Sequence, residues 1–167
     1  MKSEKGCGIG PEFPHSHKLE AIFIMLFVVF WLLDMHFFKF HIKYGIFFID
    51  FLRYFGFINV LAISFFLIIK SWKVVSPKVY NSETLLTDGV FSIVRHPMYL
   101  GIILVYLSFV VLNLSLIMLM IWLFIFFIFN IMASYEEKRL VEIFGKDYLR
   151  YKKMVSRWIP VKYFIYN

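Results

Sequence analysis

The stretch of this chain whose residue types and spacing best suit chemistry is Leu86–Gly101, LTDGVFSIVRHPMYLG. Asp88-Gly89 signals a turn. Pro97 pushes His96 out of helical backbone and has its own φ pre-set for the first position of a helix. A helix is therefore expected to start at Pro97, with Arg95 and His96 at its mouth and Met98 and Tyr99 in its first turn. The unpaired backbone N–H groups and the dipole of such a start make an anion site, to which Tyr99 adds an aromatic face and a hydroxyl. An amino-acid carboxylate suits this place. The plainer reading of the same residues is an interfacial anchor at a helix start.

The second constellation is Glu136-Glu137, at the end of the most apolar run of the chain. Two carboxylates at that depth are costly unless they meet a cation or face water. They either hold a cationic group or form a solvated charge cluster with Lys138 and Arg139. Asp34, Asp50 and Arg53 read as an intramembrane ion pair that fixes helix packing, with a proton path as the alternative. His15 and His17 fall in a polar tail, whereas His36 and His41 fall near the opposite membrane face, so no metal site is expected.

The elements that must position these groups follow from composition. Of 167 residues, 61% are apolar and 17% charged, and mean hydropathy is +0.76. A soluble domain is roughly half apolar and about a quarter charged, and 22 Phe exceed what one small aqueous core would bury. The fold expected is an all-α integral membrane protein of about four transmembrane helices with a C-terminal amphipathic cytoplasmic segment. The single Cys7 excludes an internal disulfide and any multi-Cys metal site. Residues 1–18 lack the apolar core of a signal peptide, so the first span is expected to serve as its own insertion signal.

A span needs about 20 mostly apolar residues. Four runs approach this, at 19–38, 46–69, 97–112 and 114–133, within one membrane domain that covers 1–167. The third reaches about 24 Å at about 1.5 Å per residue, short of a typical hydrocarbon core. Asn113 and its neighbours separate the last two runs, which predicts a tight hairpin. Lys2, Lys5 and Lys18, the loop cations Lys70, Lys73, Lys78 and Arg95, and eight more from Lys138 to Lys162 share one side, against Lys39 and Lys43 on the other. By the positive-inside rule both termini and the 70–96 loop are cytoplasmic, so the loop and the tail, 135–167, meet to complete one site. The net charge of +7 flanks apolar runs and points to anionic lipid, not nucleic acid.

Within the tail, Leu140, Val141, Ile143 and Phe144 give an amphipathic helix continuing from the fourth span. Gly145 ends it, Asp147–Val155 forms a second helix, and Trp158 and Tyr163 return to the interface.

LTDGVFSIVRHPMYLG, followed about 35 residues later by EEKRLVEIFGKDYLRYKKMVSRWIP, resembles the isoprenylcysteine carboxyl methyltransferases and the related phospholipid N-methyltransferases. The resemblance runs over 84–160. It implies S-adenosylmethionine as cofactor, held between the last two spans and the tail by Leu85, Leu86, Phe91, His96, Pro97, Met98, Tyr99, Glu136 and Glu137. It further implies a lipophilic or lipidated acceptor drawn from the bilayer. Arg95, His96 and Glu137 are the residues expected at the chemistry: His96 or Glu137 as base for an amine acceptor, Arg95 as a cation for a carboxylate. The prenylcysteine enzymes carry an Arg one helical turn before the residue matched by Glu136, and here that position is Met132. The pocket thereby loses a cation, and farnesylcysteine analogues are expected to be poor substrates.

Two other classes compete. Membrane sterol reductases carry a similar RHP-Y-G element and use a nicotinamide cofactor, although the EE…FG…Y..Y tail fits the methyltransferases better. A haem- or quinone-anchoring subunit would need facing His pairs, and the spans offer only His36 and His41 near their ends.

Overall fold

The computed structural model describes residues 16–34, 36, 47–75, 85–161 and 163. His15 and His41 and the side chain of His17 lie outside this set. The described residues are helical, without strands, apart from one isolated parallel bridge between Val94 and Ser156. In chain order the helices are α1 (Ser16–Leu33), α2 (Phe47–Val75), α3 (Val90–Ile93), α4 (Pro97–Asn113) and α5 (Leu116–Met154). Asp50–Val75 and Leu116–Met154 are long and apolar enough to cross a membrane, and Pro97–Asn113 is a shorter apolar helix.

The residues fall into two compact units. One takes in His15–Phe66 and Gly101–Phe129. Its centre is aromatic. Phe109 meets Trp31 at 5.5 Å, Phe57 at 5.6 Å and Phe27 at 6.1 Å between ring centroids, and Phe27 also meets Tyr106 at 4.8 Å. Polar side chains inside it serve the backbone. Ser64 donates to the Gly101 carbonyl at 2.8 Å, and Trp122 donates to that of Ile103 at 3.0 Å. Arg53 donates to the Leu112 carbonyl through Nε at 2.9 Å and pairs with Asp50 at 2.9 Å. It thus satisfies a carbonyl that the end of α4 leaves open. Asp34, by contrast, is buried without that pair. The Asp50–Arg53 pair is the packing device its sequence implied.

The outer surfaces of α1 and α2 are apolar. Phe51, Phe55, Ile58, Phe65, Phe66 and Ile69 of α2 are all more than half exposed. An apolar surface of this extent is unstable against water and stable against hydrocarbon. Leu114 takes a positive φ of 48° in the link between α4 and α5, and Ser115 Oγ accepts from the Met118 N–H at 3.4 Å at the start of α5.

The second unit takes in Leu67–Leu100 and Asn130–Asn167, and so holds both constellations singled out in the sequence. Asp88-Gly89 turns the chain into α3, with Phe91 N–H donating to the Asp88 carbonyl and Gly89 at φ 62°, ψ −126°. Val94 is extended and pairs with Ser156, and the Arg95 N–H donates to the Ser156 carbonyl at 2.9 Å. Gly145 breaks the path of α5 at φ 53°, ψ −121°, a conformation nearly closed to residues with a Cβ. Beyond it, Tyr148, Tyr151 and Val155 form a core with Leu140, against which Leu85, Val141 and Phe144 pack.

Candidate active site

α4 begins at Pro97, as Pro97's fixed φ and its restriction of the preceding residue favour. This start carries Arg95, His96 and Tyr99 to the part of α5 that holds Glu136 and Glu137. Tyr99 donates a very short hydrogen bond to Glu136 Oε1. His96 Nδ1 lies 3.6 Å from Glu136 Oε2, and its Nε2 lies 3.4 Å from Glu137 Oε1. The imidazole stacks nearly parallel to the Tyr99 ring, 5.8 Å between centroids, with Trp158 tilted against it at 5.9 Å.

Glu137 is 1% exposed and is the hub of the unit. Arg95 reaches its Oε1 through Nε at 3.1 Å and Nη2 at 2.8 Å. Arg157 grips both oxygens, Nε to Oε1 at 2.8 Å and Nη2 to Oε2 at 2.9 Å. Lys152 Nζ lies 2.9 Å from Oε2. Burial alone would raise the pKa of this carboxyl. The close approach of His96 and the contacts from Arg157, Lys152 and Arg95 outweigh burial and hold it well below the ordinary carboxylate range. His96 is shifted the other way: burial lowers its pKa, and the attraction of Glu137 only partly opposes this. Burial thus favours the neutral ring. Its Nε2 lies within ion-pair distance of Glu137 but off the line that a hydrogen bond needs, and this buried atom has no hydrogen-bond partner. Burial likewise raises the phenols of Tyr148 and Tyr151.

The other residues singled out by sequence take distinct places. Phe91 is buried and its carbonyl accepts from the Tyr151 hydroxyl at 2.6 Å. Pro97 is fully enclosed, Leu85 packs on the Tyr148–Tyr151 core, and Leu86 and Met98 are half-buried. Lys138 and Arg139 do not pair with the two carboxylates. Both are exposed, and Arg139 pairs with Glu142 at 3.0 Å. Neighbours along a helix point about 100° apart, so an inward Glu137 turns them outward.

Four participants were not singled out by sequence: Asn130, Ser134, Lys152 and Arg157. Arg157 Nη1 donates to Asn130 Oδ1 at 2.8 Å and to Ser134 Oγ at 2.9 Å, and Trp158 Nε1 donates to Asn130 Oδ1 at 3.2 Å. The signal lay in spacing. Asn130, Ser134 and Glu137 stand at i, i+4 and i+7, one helix face, at the end of an apolar run. Trp158, read as an interfacial anchor, is part of this network. Met132 is 1% exposed and packs in the core. Sequence left this level of α5 without a cation, and Arg157 from the tail supplies one.

Comparison with known proteins gives a consistent picture. The phospholipid methyltransferase family model matches residues 46–147. The chain is 34% identical over 88 residues to the protein-S-isoprenylcysteine O-methyltransferase of Saccharomyces cerevisiae, a match covering 52% of this chain and 37% of that protein. It is 33% identical over 93 residues to the protein of the same name from Schizosaccharomyces pombe, covering 53% and 38%. The match thus spans well under half the length of these relatives. No solved structure gives a significant match.

Proposed function

Since this chain belongs to the phospholipid methyltransferase family, we propose that it transfers a methyl group from S-adenosylmethionine to a lipophilic acceptor at the cytoplasmic face of a membrane. The observation that carries this reading is the convergence of His96 and Tyr99 on Glu136, with Glu137 fixed beneath them. The sulfonium of the cofactor supplies an electrophilic methyl group, and in-line displacement then depends mainly on position and desolvation.

The residues fit such a group. The first turn of α4 offers backbone N–H donors to a carboxylate. Glu136, half-buried, offers a carboxylate to an ammonium or a ribose diol. His96 presents a buried nitrogen with unused hydrogen-bonding capacity. Leu86 and Met98 add half-buried apolar surface, while Leu85, Phe91 and Pro97 hold the walls.

Arg95 and Glu137 act by holding this geometry. A carboxylate gripped by three cations is a poor proton acceptor. His96, neutral and buried, is the better base for an amine acceptor, whose proton must leave before its lone pair attacks. A carboxylate acceptor arrives ionised and needs no base. The relatives' name points to an isoprenylcysteine-like carboxylate, and the family's name to a phospholipid amine. The topology that goes with this reading has four spans, with both termini and the site cytoplasmic, and an acceptor that enters from the bilayer.

Retention on an immobilised adenosylhomocysteine resin tests the cofactor class. The purified chain should be retained, should elute with free S-adenosylhomocysteine, and should be indifferent to NADPH. Elution by NADPH alone would assign the site to the reductases instead.

A further inference from the structure

The C-terminal part of α5, 146–154, has two faces, and the function proposed above uses one of them. Tyr148 and Tyr151, with Val155 just beyond, are buried. Lys152 reaches Glu137, and the carbonyls of Lys152 and Val155 accept from Arg95. Turned away from this are Lys146, Arg150 and Lys153, all exposed. Their spacing of four and three residues puts them on one arc of the helix. None has an ion-pair partner among the described residues, and Asp147 is the one acidic residue within 146–154. Glu142, the nearest other acid along the chain, is occupied by Arg139.

This arc is bordered by apolar side chains that water does not favour. Leu149 is 45% exposed and Met154 54%, and just beyond them Ile159 is 71% and Val161 54% exposed. Cations interleaved with exposed apolar residues, just past an apolar span, match a membrane interface, where the charges meet anionic headgroups and the apolar groups enter the acyl boundary. A soluble polyanion would leave the apolar members in water.

We propose that the outward face of 146–154 binds anionic lipid headgroups of the leaflet in which the chain is embedded, and that this contact stabilises the Glu137 network carried on the opposite face. The inference rests on the membrane reading above. It makes the assembled state of the site responsive to lipid charge.

Hydrogen exchange of the full chain in nanodiscs tests this without any substrate. Amides of 146–157 should exchange roughly threefold or more slowly in an equimolar phosphatidylcholine–phosphatidylglycerol disc than in phosphatidylcholine alone, with the difference shrinking at high salt. A triple variant, Lys146→Gln, Arg150→Gln and Lys153→Gln, spares every partner of Glu137 and should lose the lipid difference. Equal exchange in the two lipids, or an unchanged difference in the triple variant, would overturn the inference and leave the methyl-transfer reading intact. Failure of the chain to enter discs would overturn the membrane reading itself, and this inference with it.

Discussion

Glu137→Ala should destabilise the chain by about 3–5 kcal/mol, the cost of leaving buried charges without their counter-ion. Arg95 is 7% exposed in its side chain and Arg157 22%, so neither can turn to water without unpacking the tail. Lys152, at 43%, can, and contributes little to the loss. Glu137→Gln keeps the volume but not the charge and should move in the same direction. Denaturant or thermal unfolding in a mild detergent checks both. Stability equal to that of the parent chain would mean that the network is solvated, not buried.

The same carboxylate sets a pH dependence. Its folded pKa lies below the ordinary 4.5, so its stabilisation is complete above that pH and is lost as pH falls toward the folded value. His96 acts earlier. Its folded pKa is below the ordinary 6.5, so from there downward the unfolded chain binds more protons and stability falls with pH.

How much of this was legible in the sequence depended on whether the determining interaction was local. Pro97 and the turn at Asp88-Gly89 act on their own backbone, and α4 starts at Pro97 as expected. Gly145 likewise breaks the tail where its sequence placed the break. The helices reflect apolar runs that must satisfy their own backbone. The partners of Glu137 were not legible. Its nearest basic residues in sequence, Lys138 and Arg139, face outward, whereas its true partners lie 42, 15 and 20 positions away, at Arg95, Lys152 and Arg157. Which distant cation reaches a buried carboxylate is decided by how the tail packs, through the Val94–Ser156 bridge and the Tyr151–Phe91 bond. Arg157 was hidden in the same way: at the level of Met132 the cation comes from the tail, where it meets Asn130 and Ser134. One position's residue type says little about local charge when another segment supplies the guanidinium.

The second large effect is on cofactor affinity. Glu136→Ala should weaken S-adenosylhomocysteine binding by about 2 kcal/mol, roughly thirtyfold, as expected for loss of a charge-assisted hydrogen bond. Glu136 meets Tyr99 and His96 on the α4 side and is 17% exposed in its side chain, against 2% for Glu137. Its loss should therefore spare the fold. Calorimetric titration, with an unfolding curve as control, separates the two carboxylates: one governs stability, the other affinity. Unchanged affinity in a folded Glu136→Ala chain would remove Glu136 from the site.

The most direct test follows the methyl group itself. Membranes containing the chain are incubated with methyl-labelled S-adenosylmethionine, and the label is traced into lipid, protein or neither, then treated with base. Label should enter a lipophilic product in the presence of the chain and not in membranes without it. Release as methanol by base identifies an ester on a carboxylate; retention identifies a methylated amine or an ether. Label confined to S-adenosylmethionine, from a chain that binds S-adenosylhomocysteine and is offered both farnesylcysteine analogues and lipid amines, would contradict the account.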